Sequence, residues 1–168
     1  MEAMKTLRAL NIFLLRICRY ALIVMVPVMT GIIFVQVVLR YIFFSPLSWA
    51  EELSKYLLVW ISCLGSANGI KDVMHVSIDY LKNKFTAFPK QIVTLLIHAV
   101  TLSFFLFCII EGTLYAFNGW IQTSAAMGIP MTIPYLSIPV GFAIMLCVSI
   151  ERFVDDVRDV LKNKVSQA

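Results

Sequence analysis

YALIVMVPVMTGIIFVQVVL, residues 20–39, carries no charged side chain and is closed on either side by Arg19 and Arg40. A helix crosses the roughly 30 Å hydrocarbon core of a bilayer with about 20 apolar residues. This run meets that length, and its Pro27 is tolerated inside membrane helices. Two further runs have the same form. Gln91 to Ile110 lies between Lys90 and Glu111, and Met131 to Ile150 ends at Glu151. The composition agrees: of 168 residues, 60% are hydrophobic and 14% charged, against about 25% charged in soluble domains. So short a chain could not bury that much apolar surface in water. One membrane domain over residues 1–168 is expected, with no linker or internal repeat. Arg16 and Arg19 abut the first run, which is longer than a signal-peptide core, so it reads as a retained span.

The remaining apolar run, Tyr56 to Ile70, is too short to cross alone. Pro46-Leu47-Ser48-Trp49-Ala50-Glu51 supplies an earlier start, with Ser48 and Glu51 spaced as a capping box. The spans are therefore expected near 20–39, 48–70, 91–115 and 131–151. Lys5, Arg8, Arg16 and Arg19 precede the first span. Lys71, Lys82, Lys84 and Lys90 follow the second, and Arg152, Arg158, Lys162 and Lys164 follow the fourth. The first connection holds Arg40 and Lys55, and the third holds neither Lys nor Arg. This alternation predicts an all-α, four-span protein with both termini cytoplasmic. Residues 72–88 mix Val73, Met74, Val76, Ile78, Leu81, Phe85 and Phe88 with lysines, the composition of an interfacial amphipathic helix. The third connection, about Phe117 to Pro130, is uncharged, holds Trp120, and is broken by Asn118-Gly119, Gly128 and Pro130.

The net charge of +4 is too scattered for nucleic-acid binding. Cys18, Cys63, Cys108 and Cys147 fall in or beside separate apolar runs without ligand spacing and read as buried thiols. His98 lies about 12 Å along the third helix from Lys90. Without a depth-matched second histidine it reads as a neutral imidazole bonded to a neighbouring helix. Glu111 follows the third run and is expected toward its outer end, leaving no carboxylate clearly at mid-membrane. No catalytic, substrate, metal or cofactor site is expected.

The strongest polar constellation is Arg40-Tyr41 with Trp49, Glu51, Glu52 and Lys55. Trp49, Glu52, Tyr56, Trp60 and Cys63 recur at three- and four-residue steps and mark one helix face. One reading is interfacial anchoring by aromatics and solvated charges. The sharper one joins Arg40 and Glu52 in a contact that fixes the first two helices or a partner. Gly65 and Gly69 form a small-x-x-x-small pattern that permits close helix contact.

Arg40-Tyr41, Ser45-Pro46-Leu47-Ser48-Trp49-Ala50-Glu51-Glu52-Leu53, Trp60 and Gly65 together resemble the small membrane subunit of tripartite ATP-independent periplasmic (TRAP) transporters, the DctQ-like family. His75-Val76 with Ile78-Asp79, Ile129-Pro130 and Ile138-Pro139 are similar to the same family, while Lys71-Asp72-Val73-Met74 departs from its pattern. The resemblance covers roughly Phe34 to Arg152. It implies a four-span scaffold subunit in the bacterial inner membrane. Its partners would be a large membrane subunit carrying substrate and sodium, and a periplasmic binding protein delivering an organic acid anion such as sialic acid or a C4-dicarboxylate. Arg40, Trp49, Glu51, Glu52, Tyr56, Trp60, Gly65 and Gly69 are the expected scaffold or partner contacts. A structural anchor of another membrane complex is the alternative. A quinone-linked thiol oxidoreductase would need cysteine pairs in the outer loops. A haem anchor would need matched histidines, and a small multidrug carrier an embedded carboxylate in span one.

Overall fold

The computed structural model describes the backbone of residues 2–84 and 87–165, and the side chains of residues 2, 4–70 and 96–157. The described residues are helical: α1 (Glu2–Tyr41), α2 (Ser48–Lys84), α3 (Ala87–Asn118), the single-turn α4 (Thr132–Tyr135) and α5 (Ser137–Val165). A 3-10 turn, Gly119–Ile121, follows α3. One isolated bridge, Thr123 to Pro130, is the sole β-type pairing among them. α5 packs against both α3 and α2, and α1 lies along α2 and also reaches α5. Arg8 of α1 pairs with Asp155 of α5 at 2.7 Å, so the two ends of the chain meet at one end of the bundle, the terminal end. The 119–131 connection marks the opposite, loop end.

Two helices overrun their expected limits for one reason. α1 starts at Glu2 rather than near Tyr20, and α2 continues past Ile70 to Lys84. Arg19 and Lys71 were expected to mark where the chain leaves hydrocarbon, but a charged residue does not by itself end a helix. Only a Gly, a Pro or a competing cap does that, and residues 71–84 contain neither Gly nor Pro. The segment expected as a separate interfacial helix is thus, over 72–84, a prolongation of α2. Its side chains, with His75, lie outside the described residues.

The helices meet along narrow stripes. On α1, Met4, Asn11 and Cys18 are buried seven residues apart, and on α3 His98, Phe105 and Gly112 repeat that spacing. A seven-residue repeat holds one seam toward a neighbouring helix. Ala67, Phe105 and Met145 form the core, with Ile70, Phe142, Ile144 and Leu146 against it. Phe142 stacks edge-on to Phe104 at 5.9 Å. Outside the seams large apolar residues point away from the chain. On α3 alone Leu96, Val100, Phe104, Phe107, Ile110, Leu114 and Phe117 are exposed. At about 1.5–3 kcal/mol per side chain in water, that face would cost on the order of 10 kcal/mol, as much as a whole domain's stability. Lipid or protein must cover it. Met4–Tyr41, Leu96–Ile121 and Thr132–Val157 are long and apolar enough to cross a membrane. α2 is not among them, because Glu51, Glu52, Lys55 and Asn68 dilute its apolar stretch.

Prolines shape the entry to α5. Pro139 has no N–H to offer the Tyr135 carbonyl, and the chain breaks at Leu136 between α4 and α5. At this break Ser137 donates its hydroxyl to the Pro134 carbonyl at 2.6 Å. At the end of α1, Phe44 turns the chain with a left-handed φ of 53°, and the Ser45 N–H returns to the Leu39 carbonyl at 3.1 Å.

Candidate assembly site at the loop end

Glu52 organises the loop end. Its Oε2 accepts from the Ser124 hydroxyl and from the backbone N–H groups of Ala126 and Met127, each at 3.0 Å. Its Oε1 accepts from the Tyr56 hydroxyl at 2.8 Å. One carboxylate on α2 thus fills a nest of donors in the 122–131 connection. That connection is already folded on itself: the Ser124 N–H donates to Ile129 at 2.9 Å, Gly128 to Ser124 at 3.1 Å, and Met131 to Gln122 at 2.9 Å. Gly128 takes a positive φ of 66°, a conformation glycine adopts without a Cβ clash. Hydrogen bonds to a charged acceptor are the stronger kind, so α2 and the connection behave as one body.

Aromatics extend the contact. The Tyr56 hydroxyl also lies 3.3 Å from the Met131 sulfur. Trp60 donates its indole N–H to the Ile133 carbonyl at 3.2 Å. Thr132 donates to the Ala116 carbonyl at 2.9 Å, tying α4 to α3. A Cβ on Gly119 would stand 2.7 Å from Tyr135 and 3.1 Å from the Thr132 nitrogen, so no side chain fits there.

Within this chain the expected contact residues are placed as follows. Arg40 is exposed at the end of α1 and makes no ion pair with Glu52, whose oxygens are both taken by Tyr56 and the loop. Glu51 does pair with Lys55, at 2.9 Å, but forms no capping box: Ser48 makes no side-chain bond, and the first turn closes from Ala50 N–H to Leu47 at 3.1 Å. Trp49 is exposed on the outside of α2. A Cβ on Gly65 or Gly69 would meet no described atom of this chain within 4 Å. The close crossing lies elsewhere. A Cβ on Gly141 of α5 would stand 2.8 Å from Cys63 Cβ and 3.2 Å from its carbonyl oxygen. The Glu52 partners and Gly141 escape sequence reasoning. Two are backbone N–H groups with no residue signature, although an uncharged loop rich in donors invites an outside acceptor.

The terminal end carries a second polar set. His98 is only 2% exposed, and its Nε2 lies 2.7 Å from Asp156 Oδ2 on α5. The contact to a neighbouring helix agrees with the sequence reading of His98. Arg8 reaches both oxygens of Asp155, at 2.7 and 2.8 Å. Asn11 donates to Glu151 at 2.6 Å and to the Cys147 carbonyl at 3.2 Å. These bonds lock α1 and α3 to α5.

Glu111 lies toward the loop end of α3, as expected, but not at its tip: the helix runs seven residues past it to Asn118, about 10 Å along the axis. The adjacent Gly112 is buried against Ile138 and Pro139 of α5, so the bundle itself fixes this depth.

The family model described as "Tripartite ATP-independent periplasmic transporters, DctQ component" matches residues 29–159. A "Putative TRAP transporter small permease protein" of Haemophilus influenzae is 27% identical over 160 residues, covering 95% of this chain and 99% of that protein. A "C4-dicarboxylate TRAP transporter small permease protein DctQ" of Vibrio cholerae is 24% identical over 141 residues, covering 70% of this chain and 61% of that protein. A 71-residue stretch, 40% of this chain, is 39% identical to 12% of the "Sialic acid TRAP transporter permease protein SiaT" of Haemophilus influenzae. The family match takes in α2, the loop-end nest and the α5 crossing that organise the fold. The chain belongs to the DctQ family of tripartite ATP-independent periplasmic transporters and is a small integral membrane subunit of the transporter class, not an enzyme.

Proposed function

We propose that this chain is the scaffold subunit of a sodium-coupled TRAP importer for an organic acid anion of the sialic acid or C4-dicarboxylate type. The observation that carries the reading is how the chain uses its own polar groups. Glu52 is taken up by the loop and His98 by Asp156. Ser54, Ser62, Ser66 and Ser103 each donate to a carbonyl of their own helix. These described polar groups are already committed within the chain. The SiaT match supports a larger partner, because 71 residues like these make up 12% of that permease. A large membrane subunit would hold substrate and sodium, and a periplasmic binding protein would deliver the anion at the loop end. Accordingly, the isolated chain in proteoliposomes is expected to move no solute. Adding the large subunit and the binding protein should produce uptake that requires a sodium gradient. Uptake by this chain alone would defeat the scaffold reading.

In this reading four spans cross the bacterial inner membrane, α2 being the fourth, with both termini cytoplasmic. The Lys/Arg alternation supports that orientation, and the Arg8–Asp155 pair supports a common side for the two ends. A cytoplasm-active reporter fused at the C-terminus should be active, and the same reporter at Gly119 silent. The reverse result would overturn the topology.

A further inference from the structure

Glu111 is an exposed carboxylate with no hydrogen bond or ion pair to any described residue of this chain. It stands on the exposed side of α3, about a quarter turn round the helix from the seam that carries Gly112. Phe107, Ile110, Leu114 and Tyr115, the residues around it at three- and four-residue steps and beside it, are all exposed. Phe107, Ile110 and Leu114 thus give Glu111 an apolar surround that faces away from the bundle, while Tyr115 stacks on Tyr135 of α4 at 4.6 Å.

Its depth makes this arrangement costly in lipid. Glu111 lies seven residues, about 10 Å, from the loop end of α3 and thirteen residues, about 20 Å, from His98. The neighbouring Gly112 packs on Pro139 of α5, and Gly141, two residues on, packs on Cys63 within the expected 48–70 span. A carboxylate at such depth is rarely left to hydrocarbon; it faces protein or a polar cavity and finds a partner. Glu, with two methylenes, cannot reach across two helical turns to the interface as long Lys and Arg stems do. No described residue of this chain supplies a cation to it.

We propose that the Glu111 face of α3 is the seam on which the large permease subunit docks, with a lysine or arginine of that subunit paired to the Glu111 carboxylate. The proposal rests on the small-subunit reading above. The apolar ring supplies a surface for helix packing, and the buried charge selects one partner and one depth. Gly65 and Gly69 of α2 are not needed for it.

The test uses the complex of this chain with its large subunit. A photo-crosslinking residue is placed at Phe107 or Leu114 on the Glu111 face, and separately at Val24 or Phe34 on the outward side of α1. Crosslinks to the large subunit are expected from the first pair. In parallel, Glu111→Leu should lower the ratio of large subunit recovered by at least about tenfold, and Glu111→Gln should lower it less. If the face met lipid, Glu111→Leu would keep the wild-type ratio, and that result overturns the proposal. So does a large subunit that co-purifies but crosslinks from α1 and not from Phe107 or Leu114, although the small-subunit reading then survives. Crosslinks from Leu114 to a second copy of this chain also overturn it. Failure of the wild-type chain to retain any large subunit removes the small-subunit reading and the seam together. Glu111 bonds to no described residue of its own chain, so the variants should melt like wild type when isolated, which separates lost docking from lost folding.

Discussion

Glu52→Ala is expected to free the 122–131 connection from α2 and to destabilise the isolated chain by about 2–4 kcal/mol. Four donors lose their acceptor together: the Tyr56 and Ser124 hydroxyls and the N–H groups of Ala126 and Met127. A buried donor left without a partner costs about 1–3 kcal/mol. Ser124 is buried, but the Met127 N–H keeps the Ser124 hydroxyl oxygen as an acceptor and Ala126 is exposed and can turn to water, so the total falls short of four full penalties. Glu52→Gln keeps one oxygen for the nest and should cost about 1 kcal/mol, the part owed to charge. Hydrogen exchange reads the effect directly. The Ala126 and Met127 amides should exchange much faster in the alanine variant, while α3 and α5 amides near Phe105 and Met145 stay protected. Unchanged protection at Ala126 and Met127 would mean that the loop holds its own shape through Ser124, Gly128 and Ile129, with Glu52 merely resting on it.

Gly141→Leu is expected to be the most damaging single substitution at a helix crossing. The first added carbon would stand 2.8 Å from Cys63 Cβ and 3.2 Å from the Cys63 carbonyl oxygen. Neither is the end of a flexible side chain, so α2 and α5 must separate. Even one methyl group forced into a packed contact costs about 1–3 kcal/mol, and Gly141→Ala belongs in that range. Leucine brings three further carbons to the same spot and should exceed it. The informative comparison is Gly65→Ala on α2. A Cβ there meets open space within this chain, and alanine favours helix over glycine by up to about 1 kcal/mol. In the isolated chain that variant should melt at or above the wild-type temperature, and Gly141→Ala well below it. Separation of the helices should also speed labelling of Cys63 by a thiol reagent. If Gly141→Ala melts like wild type with Cys63 labelling unchanged, α2 and α5 do not cross where the geometry places them.

The sequence alone determined that this chain is a bundle of membrane helices, and it did so by solvation. Uncharged runs such as 20–39 have one stable home, and backbone groups in hydrocarbon must bond within the segment, which leaves helices. The acidic-aromatic start of α2 and the position of His98 were legible for a similar reason: their residue types demand an interface or a partner. The identity of each partner was not. Glu52 was expected beside Arg40, an opposite charge, yet it serves two backbone N–H groups that no residue type announces. Gly65 and Gly69 had the right spacing for close packing, yet Gly141 makes the crossing. Spacing defines a face on one helix, while the angle at which that face turns is set by every neighbour packed against it at once. Glu111 shows the same limit along the helix axis. The apolar run it closes placed it toward the outer end of the helix, where it lies, but its level against α5 is given only by where α3 stops and where Gly112 packs on Ile138 and Pro139. Those distances exist only once the helices are assembled.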